Sequence, residues 1–428
     1  MKIAGEKDGE SRMKAKGFLR ENGMFFSMLM IFFVMSLVTK WWTGDWTFIS
    51  AENLSNLSQQ VTVTGILAIG MTMVILIGGI DLGVGSVLAL SAAVLALTVD
   101  PVNVEQAVKN PGLKNALQSV ANPATGILLA LAAGALIGAW NGFIVSRFKL
   151  LSFVVTLATL TMARGLAYLV SGSQSLTVKA DVFRTLGVYS LDKLCYEWWY
   201  KAKGLPVPAE TFPGFSIAFL ILVFVVWAKL HMNKRDHLMM HGHPVESSQA
   251  MTGRIALKAA GCAALGLLFA SHQGIPVMVI FFAALATIAH FVLNHTVFGR
   301  HLYAIGGNKD AARLSGIQVE RYTFLVFLIM GVMSALAGIV ATSRAQAASP
   351  ATQGVLSELE AIAAVVVGGT SLMGGIGTIG GTVIGVLIIG IVVNGMILMA
   401  LPNPVQLIFK GLLIMAAVLI DMRTKARK

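Results

Sequence analysis

Cysteine, charge and the common catalytic signatures are all scarce in this 428-residue chain. Its two cysteines, Cys195 in a polar stretch and Cys262 inside an apolar run, fall on different elements, so no disulfide is predicted. Only 12% of residues are charged, against 56% apolar, which excludes an ordinary soluble fold. There is no G-x-x-x-x-G-K-S/T phosphate loop, no G-x-S-x-G nucleophile elbow and no H-E-x-x-H pair. The chain therefore has no visible means of hydrolysing ATP or of doing covalent chemistry, and it is not expected to be an enzyme. His231, His237, His241 and His243 cluster in one loop, but no cysteine accompanies them and their spacing suits no compact metal site, so no metal is expected.

What the chain does have is apolar runs recurring from residue 24 to residue 420. They predict an all-α polytopic membrane protein with about 10–12 transmembrane helices. Windows of about twenty residues place segments at 24–39, 61–79, 83–99, 124–146, 151–170, 214–230, 255–271, 275–294, 322–342, 359–373, 377–400 and 404–421. An even count puts both termini on one side. Lys and Arg number 20 on that side and 9 on the other, which makes it the cytoplasm. The net charge of +12 is thus a membrane-topology signal, and nucleic-acid binding is not expected.

The expected organisation is a cytoplasmic tail over 1–23, one membrane domain over 24–421 and a basic cytoplasmic tail over 422–428. Within the membrane domain, 171–213 is an external loop and 231–254 a cytoplasmic one. No small-residue cleavage site follows the first apolar run, and Trp41 and Trp42 mark a water interface, so 24–39 reads as a retained span. The aromatic, basic run at 195–204 suits the outer interface.

Two segments are not plain spans. GGIDLGVGS at 78–86 and GGTSLMGGIGTIGG at 368–381 interrupt apolar helices with glycine, which lipid tolerates only where the freed backbone faces protein or a water-filled cavity. Each is an apolar run, then Gly-Gly, then a short polar break and a second apolar run. Paired breaks in two related halves of a chain point to a translocation path, with Gly78, Gly79, Asp81, Gly83, Gly374, Gly375, Gly377 and Asn394 as its candidate residues. A packing reading stands beside this one, because Gly134, Gly138 and Gly142, like Gly377, Gly381 and Gly385, have the four-residue spacing of a helix contact face. Asp81 reads as a cap for the helix after its break. Arg164 reads as a group that pairs with an acid or snorkels, and Glu360 and Lys410 also fall inside segments.

Residues 299–317, GRHLYAIGGNKDAARLSGI, form a polar island between apolar segments. The island reads as one short helix from Lys309 to Ser315, capped by Asn308 and closed by Gly316. So short a helix cannot stand alone. On the cytoplasmic side of a membrane protein, it suits docking to a soluble partner.

The stretches GILAIGMTMVILIGGIDLGVGSVLAL at 65–90, GAWNGFIV at 138–145, FVVTLATLTMARGLA at 153–167, the island, and ELEAIAAVVVGGTSLMGGIGTIGGTVIG at 358–385 together resemble the permease subunits of bacterial ABC sugar importers. The resemblance covers about 50–425. An extra loop and span over 229–274 is similar to that of the xylose permeases within this family, while the longer external loop around 185–205 departs from them. The resemblance implies a multi-pass protein of the bacterial inner membrane, forming a homodimer surrounded by lipid. Its partners would be a cytoplasmic ABC ATPase, which alone holds ATP and Mg2+, and a periplasmic sugar-binding protein. No cofactor is implied for this chain. The family's coupling helix to the ATPase carries over to Asn308, Lys309, Asp310, Ala311, Ala312, Arg313, Leu314 and Ser315. An ion-coupled secondary transporter using Asp81 or Glu360 is the rival reading, and it gives no reason for a capped docking helix.

Overall fold

The computed structural model describes residues 2–205, 212–241 and 248–426. Eighteen helices follow in chain order: α1 Lys2–Thr43, α2 Ala51–Leu76, α3 Val84–Val99, α4 Pro101–Ala107, α5 Pro111–Val120, α6 Pro123–Phe148, α7 Ser152–Val170, α8 Asp181–Val188, α9 Leu191–Ala202, α10 Gly214–Met240, α11 Ser248–Ala270, α12 Val277–His295, α13 Val297–Gly307, α14 Lys309–Leu314, α15 Val319–Ala345, α16 Ser357–Val367, α17 Ile379–Leu398 and α18 Asn403–Ala426. The only strands among the described residues are β1, Leu176–Thr177, and β2, Ala347–Ala348, which pair antiparallel and tie the end of α7 to the end of α15. Eight of these helices are long and apolar enough to cross a membrane, or nine if the pair α3 and α4, bent by 114°, is one span.

The core is centred on α2, from which Gly65 to Leu76 is buried without interruption. Around it pack α12, α15, α16 and α17, whose inward faces are mostly Val, Ile, Leu, Ala, Met, Phe and Gly. Such a bundle gains little from the hydrophobic effect in lipid and depends on close packing. The glycine stripe of α6 supplies it: a methyl group added at Gly138 would sit 2.9 Å from the Gly331 Cα of α15, and one at Gly142 3.0 Å from the Phe324 Cα. The stripe read from four-residue spacing is a helix contact face in the structure. The same holds for Gly381 and Gly385, which lie against the backbone of α16.

Several sequence expectations are corrected. The segment expected at 359–373 is no full span. α16 has 11 residues and reaches about 16 Å, half of a ~30 Å hydrocarbon core; the turns of 350–356 lead into it. The loop expected at 231–254 is shorter, since α10 runs to Met240 and α11 starts at Ser248. Residues 242–247, with His243, lie outside the described residues. His231 stacks on Trp227 and His237 on His241. The stretch 171–213, expected to be an external loop, contains α8 and α9, and the Lys203 ammonium lies 4.4 Å over the Trp199 ring. The island holds two helices, α13 and α14, where one was expected.

Candidate functional site

Both Gly-Gly pairs end a helix in the same way. At the end of α2, Gly78 takes φ +74°, its N–H bonds to the Ile75 carbonyl at 2.8 Å, and the Gly79 N–H bonds to the Val74 carbonyl at 2.9 Å. At the end of α16, Gly369 takes φ +82°, its N–H bonds to Val366 at 2.9 Å, and the Thr370 N–H bonds to Val365 at 3.1 Å. These are two copies of the Schellman motif, which needs a left-handed residue just past the helix end and so selects glycine. Each break then carries a polar side chain that accepts the N–H two residues on. Asp81 Oδ1 accepts from Gly83 at 2.8 Å, and Ser371 Oγ from Met373 at 3.2 Å.

The breaks differ in what holds them. Residues 79–82 run along the first turns of α7, with the Ile80 N–H donating to Ser152 Oγ and the Leu82 N–H to Thr156 Oγ1, both at 3.0 Å. Residues 368–378 fold on themselves. The Ser371 N–H meets the Ile376 carbonyl at 2.8 Å and the Gly374 N–H meets Ser371 at 2.9 Å, while the Gly375 N–H reaches across to the last carbonyl of α2, Leu76, at 2.9 Å. Through that bond the two breaks touch.

The island sits on this junction. The last turn of α13 presents Gly306, where any added methyl would overlap the Leu76 carbonyl and the Gly375 N–H, and the Gly307 backbone abuts Gly375. Three backbone segments meet at the Leu76 carbonyl because Gly306, Gly374 and Gly375 carry no side chain. Earlier on α13, Leu302 and Ile305 are buried in the core, and the Tyr303 hydroxyl donates to the Gly377 carbonyl at 2.8 Å. Next comes α14, with Asn308 Oδ1 accepting the N–H groups of Asp310 and Ala311, each at 3.0 Å. Gly316 ends it at φ +84°. Of its six residues only Ala312 is buried. Lys309 and Asp310 face outward, and Leu314 is 90% exposed. Arg313 is engaged within the chain, pairing with Glu320 at 2.6 Å.

At the far end of the first break, Gly85 of α3 meets Gly354 and the Glu358 carboxylate. Asp81 and Glu358 are buried there. Asp81 does not cap α3 as expected: Gly83 is the N-cap residue, and no side chain bonds the first turn. It closes a turn one step earlier. Among the described residues Arg164 forms no ion pair; its Nη1 donates to the carbonyls of Pro350 and Gln353, at 2.8 and 2.7 Å, and so holds the turns before α16. Glu360 pairs with Lys410 at 2.6 Å and accepts from the Thr64 hydroxyl. These two charges border a cavity of about 130 Å³ between α16, α17 and α18, whose other lining residues are apolar side chains, among them Leu359, Ala363, Ile389 and Leu407, and Gly411.

Of the path candidates, Gly78, Gly79, Asp81 and Gly83 lie in the first break and Gly374, Gly375 and Gly377 in the second, and the Gly375 bond to Leu76 brings the two sets together. Asn394 lies apart from them. Its amide is clasped by that of Asn53 through two hydrogen bonds of 2.9 and 3.0 Å, joining α17 to α2. Reading the sequence by type and spacing missed Ser152, Thr156, Tyr303, Gly306 and Glu358. Only Tyr303 carried a visible signal, as the single Phe, Trp or Tyr in 299–317.

Paired broken helices in an all-helical membrane body, seated on a small capped surface helix, define a membrane transport permease. A family model described as branched-chain amino acid transport system / permease component matches residues 53–418, and the chain belongs to that family, among its sugar permeases. The xylose transport system permease protein XylH of Escherichia coli (strain K12) is 38% identical over 387 residues, 90% of this chain and 88% of that one. XylH of Haemophilus influenzae is 34% identical over 383 residues, 90% and 92% of the two chains. The ribose import permease protein RbsC of the same organism is 33% identical over 421 residues, 97% of each chain. No solved structure matches.

Proposed function

We propose that this chain is the permease subunit of an ATP-binding-cassette importer that carries a monosaccharide, D-xylose first, across the bacterial inner membrane. The island and both termini lie in the cytoplasm. Two copies form the path, a cytoplasmic ATPase binds ATP and Mg2+, and a periplasmic binding protein delivers the sugar. The observation that carries this reading is the island: α14 is a capped helix with one buried residue, it offers Lys309, Asp310 and Leu314 to solvent, and α13 connects it to both helix breaks. A helix this short needs tertiary support, and its outward face is free for the ATPase. No residue here performs chemistry; the chain supplies a route and a lever.

On this reading ATP closes the ATPase dimer, the island follows as a rigid body, and the breaks beneath it change their fit. The glycine-lined breaks carry few charges, which suits a neutral, hydroxyl-rich cargo. D-xylose is favoured by the 38% identity to a xylose permease. Ribose is the second choice, favoured by a relative whose match extends over 97% of both chains. Uptake of labelled sugars into vesicles containing the chain, the ATPase and the binding protein tests the proposal. ATP-dependent accumulation of xylose, indifferent to an uncoupler, is the expected result. Uptake that proceeds without ATP and collapses with the uncoupler would overturn it.

A further inference from the structure

One side chain joins the island to the second break. Tyr303 stands on α13, one turn ahead of the glycine pair that touches both breaks, and its ring packs against the core. Its hydroxyl donates to the Gly377 carbonyl at 2.8 Å. Gly377 directly precedes Thr378, the N-cap of α17, whose hydroxyl accepts the Gly381 N–H at 3.0 Å. The bond therefore ends at the root of a core helix. Among the described residues, no side chain of α13 or α14 makes a corresponding bond to 77–83; the N–H groups of Ile80 and Leu82 go to α7.

The backbone contact between Gly306, Gly307 and Gly375 is a steric one. It resists compression, so it transmits a push, but it gives way when the surfaces are drawn apart. A hydrogen bond resists separation as well. Transport by alternating access needs both directions of motion, because the path must close again after each release. We propose that Tyr303 is a positioning residue that makes the island's grip on the second break two-way, so that 368–378 and the start of α17 follow α13 on the return stroke as well as on the power stroke. This rests on the importer reading above.

The test uses the assembled transporter in proteoliposomes, with wild type, Tyr303→Phe and Asn103→Ala compared for ATP hydrolysed, sugar accumulated and thermal unfolding. Tyr303→Phe keeps the ring and removes only the donor. It should leave ATP hydrolysis within about twofold of wild type and lower the sugar moved per ATP by about fivefold, the weight of one hydrogen bond of ordinary strength. Asn103→Ala removes a buried amide that donates to the Ala96 and Thr177 carbonyls, away from both breaks, and serves as the control for stability: it should unfold earlier and keep the wild-type ratio. A Tyr303→Phe ratio equal to that of wild type, or lowered no more than that of Asn103→Ala, would overturn the proposal. Wild-type vesicles that take up no sugar on adding ATP would remove the importer reading itself, a result distinct from the loss of the Tyr303 role alone.

Discussion

The two helix breaks start alike and finish differently. α2 and α16 both end in a Schellman motif on a Gly-Gly pair, and both breaks continue with a polar side chain bonding two residues ahead. The first is then secured to α7 by two hydroxyls, while the second is secured to itself, to Leu76 and to the island. A segment moves with whatever holds it. The same local chemistry, used twice, thus yields one break held by α7 and one held by the island, and the Gly375 bond to Leu76 is the seam between them.

Substitutions can separate these roles. The largest effect is expected for Gly375→Leu, at the seam. The residue has φ +74° and its α-carbon faces the Gly307 backbone, so left-handed strain of roughly 1–2 kcal/mol adds to steric overlap. Uptake should fall at least about tenfold while the protein still inserts; normal uptake would remove the seam from the mechanism. Next, Ser152→Ala combined with Thr156→Ala leaves two N–H groups of the first break without partners, each worth ~1–3 kcal/mol when buried. Thermal unfolding should shift down markedly at an unchanged ratio of sugar to ATP, and a changed ratio would show that the first break is also driven.

Asn394→Leu should cost about 1–3 kcal/mol, because it leaves the buried Asn53 Oδ1 without its donor, while Asn53 Nδ2 keeps its bond to the Phe48 carbonyl. The variant should unfold earlier yet carry the same sugars in competition assays, whereas altered selectivity would return Asn394 to the path. The smallest effect is expected at Asp81. Asn keeps the oxygen that accepts the Gly83 N–H, so Asp81→Asn should stay within ~0.5 kcal/mol of wild type in stability, and Asp81→Leu should be clearly worse. Equal loss in both would mean that the negative charge is what matters.

Much of this was legible in the residues. Apolar runs gave the helical membrane class, and four-residue glycine spacing gave the α6 contact face, because close approach of helices in lipid leaves no room for a Cβ. The capped ends of α14 were visible in Asn308 and Gly316, since caps are set by neighbours in sequence. Ser152 and Thr156 were not legible: their partners lie 72 and 74 positions away, and a hydroxyl in an apolar helix usually bonds its own backbone, as Thr156 also does. The shortness of α16 was hidden because 359–373 is apolar on average despite Glu360, Thr370 and Ser371, so a window of hydropathy reads Val367 and Leu372 alike although the helix stops between them. The hydrogen bonds of Arg164 were hidden for a related reason. They go to backbone carbonyls of the turns before α16, which no side-chain pattern announces.

Whether the lever drives one break and spares the other can be read in the unmodified protein. Amide hydrogen exchange of peptides covering 368–378 and 77–83 should be compared in the assembled transporter, nucleotide-free and trapped with ATP. Exchange in 368–378, which includes the Gly375 N–H, should change strongly with nucleotide, while that of Ile80 and Leu82 stays constant. Equal changes in both breaks, or a change confined to 77–83, would contradict the division of the two.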